Sequence, residues 1–237
     1  MVTRCCGGLF ADDVVLIAPS SSALRNMLVQ VSSWANINEM KFGINKCATM
    51  IIRPKNFDSN GSPDPTFYID NHPLPKTSCY TYLGIPFPNT LNLKPIISIL
   101  NDKLNRSMNS HFMLLSNEHI PLHIKKYILI YFVLALVNYF APLLGSNKSN
   151  TSKAQTIINN GIYRCLGFKG KNTSISLFSA TKELSIPALS ARCAVAQRKC
   201  FNKWKKSSCV IGLLINNIPT MKDFYTWTKE SRTLDSK

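Results

Sequence analysis

Two adjacent aspartates, Asp12 and Asp13, stand between two short β-favouring apolar runs, Leu9-Phe10 and Val14-Val15-Leu16-Ile17-Ala18. That pattern predicts a hairpin with Ala11-Asp12-Asp13 at a tight acidic turn. Neighbouring strand residues point to opposite faces, so one carboxylate of the pair can face a given site while the other faces away. Rigid strands would hold that carboxylate where a hard divalent cation can reach its oxygens. An ordinary polar turn, in which aspartate is common, is the competing reading of the same residues.

Other constellations offer less chemistry. His119 and His123 are four residues apart, but Pro121 between them suits the first position of a helix that leaves His119 outside. His72 and His111 are isolated, and Gly7-Gly8 lacks the spacing of a phosphate loop. Of the eight cysteines, Cys5 and Cys6 are adjacent, and Cys47, Cys79, Cys165, Cys193, Cys200 and Cys209 show no paired ligand spacing. Reduced, mostly buried thiols are therefore expected. The residues before Gly7 are too few for a secretory leader, so an intracellular protein is expected, and the sequons at Asn60 and Asn172 carry no meaning.

The elements that must position the aspartates follow from periodicity. Residues 20–22 offer helix caps, and Leu24, Met27, Leu28, Val31 and Trp34 recur at helical spacing, predicting an amphipathic helix that stops near residues 36–38. Residues 41–44 and 48–52 read as a second hairpin turning at Asn45-Lys46-Cys47. Residues 53–77, rich in Pro, Asn, Ser and Asp, read as a surface loop with at most a short strand at 67–69. Residues 80–87 read as a strand. Beyond Pro95 the apolar pattern is helical throughout, in stretches near 95–115, 121–144, 151–167, 174–184 and 187–206. The fold class is therefore α+β: a mixed part over 1–90, an all-α part over 91–210 and a tail over 211–237.

Composition bounds the function. The chain has 237 residues, 45% hydrophobic and 17% charged, which excludes a disordered protein. Its 28 Lys and Arg against 12 Asp and Glu leave +16, and the excess is one-sided. Residues 1–118 carry ten bases and eight acids, whereas 119–222 carry fifteen bases and one acid, Glu183. Such a surface suits phosphates, so nucleic acid is the implied partner. One basic helix carries Arg192, Arg198, Lys199, Lys203, Lys205 and Lys206 around Phe201 and Trp204, whose rings either stack on bases or pack inward. Residues 127–137 form an unbroken apolar run that reaches the lower edge of membrane-spanning length. Asn138 and Pro142 interrupt it, so a buried helix with no membrane partner is expected and a transmembrane helix is the alternative.

Leu9-Phe-Ala-Asp-Asp-Val-Val-Leu-Ile17 resembles the F/Y-A-D-D box of reverse transcriptases, particularly those of non-LTR retrotransposons. Ser33-Trp-Ala-Asn36 and then Met40-Lys-Phe-Gly-Ile-Asn-Lys-Cys47 resemble the segment after that box, where a helix leads to "glkiNxxKt". Tyr80-Thr-Tyr-Leu-Gly-Ile85 is similar to the family's primer-grip hairpin. Ile157-Ile-Asn-Asn-Gly-Ile-Tyr-Arg-Cys-Leu-Gly167 and Lys182-Glu-Leu-Ser-Ile-Pro187 resemble its thumb and downstream helices.

The resemblance implies a partial polymerase palm followed by a helical thumb, and RNA-directed DNA synthesis with two Mg²⁺ ions roughly 3.5–4 Å apart. It implies that Asp12 binds metal and that Asp13 supports it. It places Lys46 near the incoming nucleotide's phosphates, and Tyr82, Leu83 and Gly84 at the primer, the glycine allowing close backbone approach. Its partners would be an RNA and DNA primer–template. The family's further aspartate, on an earlier palm strand, and its fingers have no counterpart among these residues. The chain is therefore expected to be inactive alone and to need an N-terminal polymerase fragment. A non-catalytic, basic nucleic-acid-binding remnant is the alternative.

Overall fold

A computed structural model describes residues 7–53, 63–168, 176–217 and 226–236. The chain is α+β and divides into two units, Met1–Asn92 and Leu93–Lys237.

The described residues of the first unit form three small antiparallel hairpins and one long helix. Strands β1 (Gly7–Phe10) and β2 (Asp13–Leu16) pair with Phe10 opposite Asp13 and Gly7 opposite Leu16. Helix α1 (Ser21–Ile37) starts where Ser20 Oγ accepts from the Ala23 amide at 3.2 Å, and ends at Asn38. Leu24 and Leu28 turn one face of α1 onto a small core of Leu28, Phe67, Ile69 and Leu74, to which Leu16, Phe42, Ile44 and Cys47 add. Trp34, on the expected apolar stripe, is exposed instead.

Three of those four core residues come from the stretch expected to be a surface loop. Strands β3 (Tyr68–Ile69) and β4 (His72–Pro73) are joined by Asp70 and Asn71, both at positive φ (48° and 63°), the geometry of a tight hairpin turn. The turn folds the chain back so that the Leu74 amide donates to the Phe67 carbonyl at 2.8 Å, and three apolar side chains meet α1. Residues 54–62 of that expected loop lie outside the described residues. Arg53 donates to Asp64 across them, and this hydrogen bond and charge hold the Asp64 carboxyl below its usual value.

The hairpin expected over 41–52 does not form. Ile44–Lys46 is a single 3₁₀ turn, and the backbone of Thr49 pairs elsewhere: its amide donates to the Pro75 carbonyl at 2.8 Å and its carbonyl accepts from the Thr77 amide at 3.0 Å. A partner 26 residues away satisfies groups that periodicity assigned to a neighbour. Residues 80–87 correct in the other direction, since the expected strand is two, β5 (Cys79–Tyr82) and β6 (Ile85–Pro88), about a Leu83-Gly84 turn.

The second unit is helical: α2 (Lys94–Ser110), α3 (Phe112–Ser116), α4 (Leu122–Ile128), a π-helical stretch (Leu129–Leu134), α5 (Ala135–Leu144), α6 (Lys148–Cys165), α7 (Leu177–Glu183), α8 (Leu189–Lys205), α9 (Val210–Asn217) and α10 (Thr226–Asp235). Its core is built from Leu100, Leu104, Leu129, Val133, Phe140, Ile158 and Ile162, all essentially inaccessible. The helix expected over 95–115 breaks at His111, whose Nδ1 lies 2.7 Å from the Ser107 carbonyl.

The long apolar helix is only partly buried. Leu122–Leu144 is long and apolar enough to cross a membrane by length and composition alone. Leu129, Val133, Val137 and Phe140 face the core, whereas Tyr127, Tyr131, Phe132 and Tyr139 are exposed, so the expectation of a buried helix holds for one face. Lys125 is 5% exposed, with Nζ donating to the Cys165 carbonyl at 3.4 Å.

The described residues of the expected tail over 211–237 include part of α9 and the helix α10. In α10 the Trp227 indole donates to the Pro142 carbonyl at 2.6 Å and its ring lies 5.5 Å from that of Trp204. The buried Gln197 amide donates to the Trp227 carbonyl and to Ser231 Oγ. Hydrogen bonds through Trp227 and Gln197, with the Asp235 carboxylate near Arg198 and Lys205, dock this helix.

Candidate functional site

The aspartates sit where the apolar runs on either side force a reversal. Four paired positions in β1 and β2 leave only Ala11 and Asp12 to turn the chain, so Asp12 lies in the turn and Asp13 is the first residue of β2. Ala11 takes φ 51°, a left-handed conformation that costs a residue with a Cβ about 1–2 kcal/mol. Both carboxylates are exposed. Among the described residues no ion pair holds either one, and no group of three His, Cys, Asp or Glu is placed to share an ion. In kind they suit a hard cation such as Mg²⁺, which takes one or two carboxylates and completes its octahedron with water and substrate phosphates.

The hairpin is anchored at its far end. Leu16 packs on the small core, and Asp12 stands four residues further along β2 and the turn, about 13 Å at the rise of a strand. Between them Leu9, Phe10 and Val14 are 73%, 61% and 46% exposed, so the tip projects with an apolar surface behind it.

Lys46 reaches the same core from another direction. Ile44, two residues earlier, packs on the cluster that holds Leu16, and Lys46 ends the 3₁₀ turn with its side chain exposed. The Tyr80 hydroxyl donates to the Lys46 carbonyl at 2.7 Å, which ties β5 to that turn. Thus one core carries β2 and the Lys46 turn, and one hydrogen bond links that turn to the strand leading to Tyr82. Tyr80 was not singled out from sequence; its signal was a polar-tipped aromatic two residues before Tyr82, with no partner visible locally.

Leu83 and Gly84 form the turn of the β5–β6 hairpin, with φ of 49° and 75°. Two consecutive left-handed residues make the tight turn that matches strand twist, which by itself accounts for the glycine. Tyr82 is half-buried opposite Ile85, and Leu83 is exposed.

In the second unit α8 separates its two kinds of side chain. Cys193, Gln197 and Phe201 are buried, and Trp204 turns towards Trp227, so the aromatics pack inward and are not a stacking surface. Lys199, Lys203 and Lys206 are exposed, four and then three residues apart, which puts them on one face. Arg192, on the same side, donates to Asn138 Oδ1 at 3.1 Å. Arg198 and Lys205 stand 3.9 and 3.7 Å from the two carboxylate oxygens of Asp235, so part of their charge is already met. The exposed pair Tyr127 and Tyr131, stacked with centroids 5.9 Å apart, is the aromatic surface that sequence reasoning missed by assigning the whole run to a core.

His119 lies outside α4, which begins after Pro121. The six described cysteines are free thiols. No family profile, no curated protein and no solved structure matches this chain.

Proposed function

We propose that this chain carries the aspartate-bearing palm hairpin and the thumb of a reverse transcriptase of non-LTR type, an RNA-directed DNA polymerase. The observation that carries the proposal is the Phe-Ala-Asp-Asp sequence at the tip of a two-residue-turn hairpin, with both carboxylates exposed and the far end fixed on a core. The packing of β2 and the Lys46 turn on one core supports it, because the family motifs on those two segments belong to one palm.

In this reading Asp12 supplies the carboxylate oxygens of a Mg²⁺ site and Asp13 adds negative charge beside them. When bound, the ions activate the primer hydroxyl and neutralise the leaving pyrophosphate. Lys46, its side chain exposed, approaches the nucleotide phosphates from its anchored turn. Tyr82, Leu83 and Gly84 hold the primer backbone. Lys199, Lys203 and Lys206, with Arg192, meet template–primer phosphates. The remaining carboxylate and the fingers come from residues other than these 237.

The test is binding of an RNA–DNA hybrid followed by primer extension, first with this chain alone. Binding without extension is expected; extension by the chain alone that vanishes with Asp12→Ala would refute the division of the site. A non-catalytic nucleic-acid-binding protein is the second reading, favoured by the exposure of both aspartates, beside which no third carboxylate stands among the described residues. Adding a separate fingers-and-palm polypeptide distinguishes the two, since only the first reading allows synthesis to appear.

A further inference from the structure

We propose that the strip running from Tyr127 and Tyr131 to Arg192 and on along α8 binds single-stranded nucleic acid, unpaired bases stacking on the tyrosines and phosphates meeting the cations. The proposal rests on the nucleic-acid reading of α8 and adds the form of strand that it takes. Tyr127 and Tyr131 stand one helical turn apart, their rings stacked with centroids 5.9 Å apart and 27° between planes, and they are 52% and 67% exposed. The stretch that carries Tyr131, Leu129–Leu134, is π-helical, a rare widened turn found mostly at functional sites. It keeps Leu129, Val133 and Leu134 in the core while Tyr131 stays outside, and the Ser107 hydroxyl of α2 donates to its Phe132 carbonyl at 3.0 Å.

Two contacts join this aromatic platform to the basic helix. Arg192 donates to Asn138 Oδ1 at 3.1 Å, and further on Gln197 Oε1 lies 3.3 Å from where a Cβ on Gly145 would stand, so α5 and α8 run in the same direction. Asn138 is exposed seven residues beyond Tyr131, about 10 Å along the helix, and the exposed Lys199 and Lys203 follow Arg192 by seven and eleven residues, about 10 and 16 Å. Tyrosines therefore lie at one end of a line, lysines at the other, and a guanidinium pinned by Asn138 between them. A single strand has the complementary chemistry, since every unpaired base offers a π-face whatever its identity and every phosphate offers a charge. The surroundings agree in sign, with fifteen bases and one acid over residues 119–222. A lipid surface fits the strip poorly, because Leu129, Val133, Val137 and Phe140 on the other side of the same helix are core and the polar Asn138 and Arg192 interrupt the strip.

The test measures, by fluorescence anisotropy at one salt concentration, binding of the full chain to a labelled oligodeoxythymidine of about twelve nucleotides, inside the usual range of roughly 4–16 for single-strand sites, and to a labelled duplex. Tyr127→Ala with Tyr131→Ala should weaken single-strand binding about tenfold or more, the scale of one lost base stack, and leave duplex affinity within about twofold. Tyr127→Phe with Tyr131→Phe should keep the single-strand affinity, because the ring and not the hydroxyl stacks. Photocrosslinking with a strand that carries 5-iodouracil should attach it to Tyr127 or Tyr131. Equal single-strand affinity in the alanine variant, or an equal loss on both nucleic acids, overturns the proposal. So does binding to vesicles of phosphatidylcholine and phosphatidylserine that depends on the two tyrosines while strand binding does not, which would assign the face to a membrane. Single-strand binding that ignores the tyrosines beside normal duplex binding sinks this proposal alone, whereas binding of neither nucleic acid by the unmodified chain sinks the reading of α8 with it.

Discussion

Reversing the charge of Lys199, Lys203 and Lys206 together should flatten the salt dependence of nucleic-acid binding by an amount the structure fixes. Lys199 and Lys203 are exposed on α8 and Lys206 is exposed at its C-cap, while the core side is filled by Cys193, Gln197 and Phe201, so the substitutions leave the core alone. Each phosphate neutralised on duplex DNA contributes about −0.9 to the slope of log affinity against log salt, so the three contribute about −2.7. Raising salt fourfold, from about 50 to about 200 mM, then costs roughly fortyfold in affinity through this face alone. Arg198 and Lys205 are shared with Asp235, so Arg198→Ala with Lys205→Ala should flatten the slope by clearly less than the roughly 1.8 of two free cations. Fluorescence anisotropy over a salt series with a labelled duplex measures both slopes. An unchanged slope in the triple variant, or an equal flattening in the double, would refute the assignment of the binding face.

Trp227→Ala should destabilise the second unit by about 3 kcal/mol, the low end for a buried aromatic because Trp227 keeps some exposure, and lower the melting temperature by about 10 °C. A shift under about 2 °C in a circular-dichroism melt would make α10 a loosely attached tail after all. Burial pushes the thiols of Cys165 and Cys193 up to about 11 from the ordinary 9.0, so the folded state favours them protonated. The stability this contributes is complete below pH 9 and is lost as pH climbs through about 11, which denaturant melts across that window should show. Hydrogen exchange should find β1 and β2 far less protected than α5 and α8, because the hairpin meets the core only at one end; equal protection would mean that the tip is held by more than Leu16.

Local pattern carried the α1 helix, its Ser20 cap, the acidic hairpin and most helix positions, because each depends on residues three or four apart or on a turn between two runs. What it missed depends on distant partners. Thr49 finds its hydrogen bonds at residues 75 and 77, and Phe67, Ile69 and Leu74 become a core only because Asp70 and Asn71 turn the chain back towards α1. Helix α10 has few large apolar residues, and the Trp227 and Gln197 hydrogen bonds that help to dock it reach partners more than 25 positions away. The candidate site divides in the same way: Asp12 and Asp13 were readable from the runs that flank them, whereas the Tyr80 link to Lys46 spans 34 residues and leaves no local trace.

The central claim, that Asp12 belongs to the catalytic centre of an RNA-directed DNA polymerase, is tested most directly by primer extension on an RNA template. The chain is combined with a polypeptide that supplies the aspartate-bearing palm strand and the fingers, with Mg²⁺ and all four deoxynucleotides. The account predicts DNA product from the combination, none from either polypeptide alone, and loss to background with Asp12→Ala. Product that survives Asp12→Ala, or no product from a mixture shown to bind the primer–template together, would contradict it.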